Sequence, residues 1–157
     1  MIRAEPWRGH GNKVQLKYGR VINCTGATKD ATGTITGVQA ELVPDTKSGT
    51  PGSDAVKVKG VITWVAVPDA IEAEVRLYDR LFAVAQPDTT EKDFHEELNP
   101  DSLKVVTAYV EPSLGRAKGD EKFQFERHGY FVADRKEHGE EKPVFNRVTG
   151  MKDSWGK

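Results

Sequence analysis

The chain has 157 residues, which is enough for one ordinary domain or two small ones with a buried core. Hydrophobic residues make up 37% of it, a low share that still suits small β-barrels, because only alternate positions of their strands need to be apolar. The formal net charge of −1 excludes a uniformly basic, nucleic-acid-binding chain, so any contact with a polyanion would come from a local patch.

Three features of the sequence indicate the cytoplasm. Cys24 is the single cysteine, so it cannot form an internal disulfide, and we expect a small buried side chain rather than a reactive thiol. No apolar run approaches the roughly 18 residues that a membrane-spanning helix needs. Residues 1–6 lack the apolar core of a signal peptide. We therefore expect no membrane partner.

The pattern along the chain predicts many short strands. Residues 1–10 are rich in glycine, proline and charge, which predicts an irregular lead-in. Alternation of apolar and polar residues then predicts strands at 13–23, 34–43, 56–65, 73–84, 103–110, 122–127, 130–134 and 144–148. One short helix is predicted at 89–98, where Thr90 can cap the first turn and Phe94 and Leu98 lie one turn apart. This succession indicates an all-β fold of small antiparallel β-barrels.

The strand predicted at 122–127 has two distinct faces. Phe123 and Phe125 lie on one side and Gln124 and Glu126 on the other, because successive side chains of a strand point in opposite directions. Gln124 offers an amide donor and an acceptor, an ionised Glu126 only accepts, and Arg127 presents a rigid fork of donors. Together these groups suit the recognition of a base edge. The alternative is a polar face that is simply solvated, as is common in antiparallel sheets.

The run from Phe123 to Phe131 also carries a family resemblance. It resembles the C-terminal end of glutaminyl-tRNA synthetases, and so do further stretches in the same order from Gly11 onward. These further stretches are 58–65, 74–82, 99–103, 111–114, 142–147 and 150–155. So many ordered matches make a chance similarity improbable.

The resemblance implies the architecture of a fragment. It predicts a distal anticodon-binding β-barrel at 11–82 and a proximal one at 83–157, both incomplete, since the opening strands of each barrel would lie before Met1. The catalytic domain, which uses ATP and Mg²⁺ in the full-length enzyme, would lie there too. We therefore expect this chain to be part of glutamine–tRNA ligase but inactive alone, with no cofactor and no metal of its own.

The resemblance also implies partners and site residues. The partners would be the anticodon loop of glutamine tRNA and the catalytic domain of the same enzyme, with no DNA. Gln124, Glu126 and Arg127 match the family motif that lines the pocket for the middle uracil of the anticodon. A splayed-out uracil offers a donor flanked by acceptors, which an amide, a carboxylate and a guanidinium can satisfy together.

Two further family positions match less well. A pair of arginines that contacts the first anticodon base is replaced by Gln15 and Lys17, and lysine keeps the charge but loses the bidentate fork. A lysine–arginine pair used on the third base is replaced by Pro6 and Trp7, with Arg8 beside them. The resemblance is therefore weakest at the positions that would read the third base.

Two alternatives stay open at the level of sequence. The chain could be the corresponding barrels of a related glutamyl-tRNA synthetase, because the two enzymes share this region and differ in the catalytic pocket. It could also be a stand-alone β-barrel that binds RNA or protein without ligase function.

Overall fold

The computed structural model describes residues 11–87 and 92–151, and within them the protein is all-β, as predicted. Nine strands form a four-stranded and a five-stranded sheet. They are β1 Lys13–Leu16, β2 Val21–Lys29, β3 Ile35–Leu42, β4 Val61–Ile62, β5 Ile71–Tyr78, β6 Leu103–Val110, β7 Lys122–Phe125, β8 Gly129–Ala133 and β9 Val144–Thr149. The helical elements of these residues are short 3₁₀ helices at Ser53–Ala55, Phe94–Glu97 and Pro112–Arg116.

The first sheet belongs to a compact unit that ends at Trp64, and its strand order is β3-β2-β1-β4. β1 and β2 pair antiparallel, as do β2 and β3, whereas β4 runs parallel to β1. Val14, Val21 and Cys24 are buried in this unit. The prediction that Cys24 is a small buried side chain is confirmed.

The first predicted strand is wrong in one respect. The structure breaks 13–23 into β1 and β2, because the chain reverses between them. Tyr18 has a φ of 58° and the Gly19 N–H donates to the Leu16 carbonyl over 2.8 Å, which closes a tight turn. Of the strand predicted at 56–65, only Val61–Ile62 forms a strand, which is β4.

The second sheet belongs to a compact unit that starts at Val65, and its strand order is β6-β5-β9-β8-β7. β5 pairs antiparallel with β6 and parallel with β9, and β8 pairs antiparallel with both β7 and β9. Its core consists of Ala73, Val75, Val110, Leu114, Phe131, Ala133 and Phe145. Phe145 is fully buried, so β9 runs through the centre of this core.

The described strands form open sheets, an arrangement consistent with two incomplete small β-barrels. Most strand pairs are antiparallel, as predicted, and each sheet also contains one parallel pair that the sequence did not indicate, β1–β4 and β5–β9. The contacts divide the chain between Trp64 and Val65, and β5 pairs in the second sheet. The boundary at residue 82 between the two barrels of a complete protein stays a prediction.

The region of the predicted helix forms a 3₁₀ helix at Phe94–Glu97 in its described part. Asp93 caps it, because its carboxylate accepts the His95 N–H over 2.9 Å. Thr90, the predicted cap, lies outside the described residues. Among the residues that are described, none forms a helix long and apolar enough to cross a membrane.

Candidate functional site

The candidate site lies on the hairpin formed by β7 and β8. Phe123 pairs with Phe131 and Gln124 with Tyr130 across the two strands. Phe123 is half-buried and Phe131 is buried, whereas Gln124 is exposed. The prediction of a strand with an apolar and a polar face is confirmed.

Aromatic rings hold the apolar face of the hairpin to the core. The rings of Phe125 and Phe131 stack with centroids 4.4 Å apart. The ring of Phe145 on β9 meets Phe123 and Phe125 edge-on, at centroid distances of 5.7 and 5.4 Å. Such pairs stabilise beyond the area they bury. The polar face of the hairpin is therefore supported from behind by packed rings.

The turn of the hairpin follows directly after Phe125, so the strand predicted to reach Arg127 is two residues too long. The His128 N–H donates to the Phe125 carbonyl over 2.8 Å, which closes the turn. Arg127 occupies the left-handed region with a φ of 67°. Gly129 has a φ of 143°, and a Cβ atom there would collide with the carbonyl oxygen of Thr149. Glycine is therefore required where β8 begins.

The three predicted site residues all lie at this end of the hairpin. Gln124 and Arg127 are exposed, and Glu126 is half-buried. Because β7 ends at Phe125, Glu126 lies in the turn and not in line with Gln124 on the strand. An amide, a carboxylate and a guanidinium thus stand within four consecutive positions, which is the chemistry that recognition of a base edge needs.

Gln15 and Lys17 lie in the unit that ends at Trp64. The Gln15 amide nitrogen donates to the Gly19 carbonyl over 2.8 Å and lies 3.4 Å from the hydroxyl of Ser48, so it helps to close the turn after β1. Lys17 is half-buried, its carbonyl accepts from the Trp64 indole over 3.0 Å, and its ammonium lies 5.2 Å from the centre of the Tyr18 ring. Arg8 lies outside the described residues.

A charged network fixes the loop that precedes β9. Asp134 accepts from the Asn146 amide over 2.7 Å and from the N–H groups of Lys136 and Glu137 over 2.9 Å each. These bonds lower the pKa of Asp134 to about 2, with the Asn146 bond as the largest cause. The Arg76 guanidinium lies 3.6 Å from the same carboxylate and also pairs with Glu74. Asn146 therefore links β9 to this loop.

Tyr130 is a residue of this surface that the sequence did not single out. It stands opposite Gln124 in the β7–β8 pairing and is 47% exposed. The signal that could have found it is the register of the hairpin, which follows from the length of the turn.

No metal-binding group of three or more His, Cys, Asp or Glu residues is present in the part of the chain that the structure describes.

Comparison with known proteins gives one family match and several close relatives. Residues 61–134 match the family described as tRNA synthetases class I (E and Q), anti-codon binding domain. The chain is 65% identical over 147 residues to a glutamine–tRNA ligase of Ralstonia nicotianae, in an alignment of 94% of this chain with 25% of the relative. The corresponding enzyme of Ralstonia pickettii is 64% identical over 147 residues, with 94% and 26% covered. That of Bordetella avium is 59% identical over 145 residues, with 92% and 25% covered.

These matches place the chain in the anticodon-binding region of the class I tRNA synthetase family. Within that family, these three relatives are glutamine–tRNA ligases, so the resemblance derived from the sequence is confirmed. The chain spans about a quarter of the length of the curated relatives it matches.

Proposed function

We propose that this chain is the anticodon-binding part of a glutamine–tRNA ligase and that it recognises the anticodon of glutamine tRNA. The observation that carries the proposal is the 65% identity to a glutamine–tRNA ligase over 147 residues, which include the whole Gln124–Arg127 motif within a domain of anticodon-binding type. The exposed end of the β7–β8 hairpin supplies a surface on which a base can be read.

The middle uracil is the base assigned to the hairpin. Gln124 can donate to a uracil carbonyl and accept from its N3–H, and Arg127 can donate to the second carbonyl. Glu126 supplies a carboxylate that accepts from N3–H or orients Arg127. Neither Gln124 nor Arg127 makes a side-chain hydrogen bond to another residue of the described ranges, so both can bind the base without breaking an internal bond.

The other two bases are assigned to the unit that contains β1. Lys17 is the stronger candidate for the first base, since the amide nitrogen of Gln15 already donates within its own turn. Gln15 keeps an acceptor oxygen for a weaker role. Arg8 remains the proposed contact of the third base.

In this proposal, the chemical reaction takes place in another part of the enzyme. The catalytic domain is the proposed partner of this chain and would use ATP and Mg²⁺ to attach glutamine to the tRNA. This chain would contribute affinity and identity by holding the anticodon through base-edge and phosphate contacts. We place the complete enzyme in the cytoplasm as part of the same proposal.

The first prediction tests the hairpin directly. Gln124→Ala or Arg127→Ala should weaken binding of a glutamine anticodon stem-loop by roughly 1–3 kcal/mol, the scale of one specific base contact. Fluorescence anisotropy with a labelled stem-loop measures the change. Gln39→Ala, on the exposed strand β3, and Arg80→Ala, with a 70% exposed side chain, are the matched controls.

A second ligand sharpens this experiment. A stem-loop with cytosine in place of the middle uracil should bind the wild-type chain more weakly, because cytosine presents a different arrangement of donors and acceptors. The difference between the two stem-loops should shrink in Gln124→Ala. Unchanged affinity of both hairpin variants would show that the base is read elsewhere. Equal affinity for a glutamate anticodon stem-loop would favour the glutamyl-type alternative, and no affinity for either RNA would favour the stand-alone module.

A further inference from the structure

We propose that Tyr130 is the platform on which the base read by Gln124 stacks, so that affinity and identity reside on adjacent strands of one hairpin. The inference rests on the proposed function and adds a residue to its site. Tyr130 and Gln124 are directly paired across β7 and β8. Directly opposed residues of an antiparallel pair point to the same face, with Cβ atoms about 4.5–5.5 Å apart.

The ring of Tyr130 is available on that face. Its exposed fraction is 47%, whereas the next residue, Phe131, is 3% exposed on the opposite face. Within the described ranges, the Tyr130 ring stacks on no other ring and its hydroxyl makes no hydrogen bond. A flat aromatic surface is thus presented to solvent beside a free amide.

The backbone under Tyr130 is held firmly. β8 lies between β7 and β9, and the backbone of Thr149 leaves no room for a Cβ atom at the preceding Gly129. The pairing of β8 with β9 shifts register between Tyr130 and Phe131. Such a bulge redirects the local side chains and is common beside binding sites. The ring is therefore positioned before any ligand arrives.

The two side chains would divide the work of recognition. Stacking on an aromatic ring tolerates every base, because each base has a π-face, whereas an amide at the edge distinguishes one base from another. An unpaired uracil in a loop has lost its neighbours, and a tyrosine ring replaces part of that stacking. Tyr130 should then set the affinity, and Gln124 the choice of base.

The test uses the full chain and the glutamine anticodon stem-loop. Tyr130→Leu should weaken binding about 5- to 100-fold, the range expected for loss of one base stack, and Tyr130→Phe should stay within about twofold of wild type. The preference for uracil over cytosine at the middle position should survive in Tyr130→Leu, in contrast to Gln124→Ala. Tyr109→Leu is the matched control, since Tyr109 is 52% exposed on β6 of the same sheet.

Photocrosslinking gives an independent measurement on the unmodified protein. A stem-loop with 5-iodouracil at the middle position should crosslink to Tyr130, because this base reacts on irradiation with an aromatic ring stacked on it. Mass spectrometry identifies the residue. A crosslink to a different residue, or wild-type affinity in Tyr130→Leu, would overturn the inference while leaving the proposed function intact. Failure of the wild-type chain to bind the stem-loop would overturn both.

Discussion

Asp134 shows how one side chain fixes the loop that follows β8. Its two oxygens accept three hydrogen bonds, from the Asn146 amide and from two backbone N–H groups of the following turn. Each bond favours the ionised carboxylate, and the pKa of Asp134 is therefore held at about 2, below its ordinary value of 3.8. The ionised carboxylate of Asp134 is thus more strongly stabilised by hydrogen bonds in the folded chain than in the unfolded one.

This shift predicts a pH-dependent contribution to stability. Because the pKa of Asp134 is lower in the folded state, its carboxylate stabilises the fold fully above about pH 4. This stabilisation is lost as the pH falls towards 2. Asp134→Asn should cost about 1–3 kcal/mol of unfolding free energy at pH 7, the scale of hydrogen bonds to a charged group. Urea unfolding at pH 7, 4 and 2.5 measures the difference between wild type and variant, which should shrink at the lowest pH. A difference that stays constant would mean that Asp134 does not titrate in this range.

At the scale of elements, the hairpin depends on the strand beneath it. Phe145 on β9 is fully buried and contacts the rings of Phe123 and Phe125 on β7, and it also lies edge-on to the ring of His138. It therefore joins two strands that are not neighbours in the sheet. Loss of this ring would leave a cavity directly behind the polar face.

Phe145→Ala should accordingly destabilise the fold by about 3–5 kcal/mol, the usual cost of removing a buried aromatic side chain. Equilibrium unfolding in urea gives the value. Phe94→Ala provides the comparison, because Phe94 is 54% exposed and its removal should change stability by less than about 0.5 kcal/mol. Similar costs for the two substitutions would contradict the assignment of Phe145 to the core.

The elements that the sequence predicted best are those with a strict local pattern. The alternation of Phe123, Gln124 and Phe125 identified β7 and its two faces, since the strand is half-buried. The turn at Tyr18 and Gly19 was missed because apolar residues resume directly after it at Val21 and Ile22, although a glycine inside a strand pattern is a recognised sign of a break. The parallel pairs β1–β4 and β5–β9 join segments distant in sequence, so no local pattern specifies them.

For the candidate site, the sequence indicated residues but not their full placement. Gln124 and Arg127 were proposed from residue type and family resemblance, and their role stays a prediction. The position of Glu126 in the turn depends on where β7 ends. The role that we propose for Tyr130 was not predicted from the sequence, because it depends on which residue Tyr130 faces across the hairpin. The sequence also could not show which polar side chains are already hydrogen-bonded within the fold. The Gln15 amide is an example, because it donates to a carbonyl of its own turn.

For the molecule as a whole, a net charge of −1 gives no general attraction to RNA. Electrostatic attraction to RNA must then come from individual lysine and arginine side chains. Each one that contacts a phosphate should contribute to the slope of log affinity against log salt. Lys17→Ala should lower the slope of log affinity against log salt by about 0.7, the value for one phosphate of a single strand. Lys57→Ala, an exposed lysine outside the proposed site, is the control.

Stem-loop affinity measured between 50 and 200 mM salt gives this slope, a range over which phosphate contacts have a large effect. An unchanged slope in Lys17→Ala would show that Lys17 does not neutralise a phosphate of the RNA. An equal reduction in both lysine variants would point to a diffuse charge effect and not to a local contact.

The left-handed backbone at Arg127 has a consequence for how this surface persists. A glycine would adopt a φ of 67° without the steric penalty that an L side chain carries there, a penalty of roughly 1 kcal/mol. Arg127 therefore places a positive charge at the tip of the hairpin and lowers the free energy of unfolding slightly. A glycine at position 127 would make this loop more stable, but it would also remove the guanidinium that we propose as a contact for RNA.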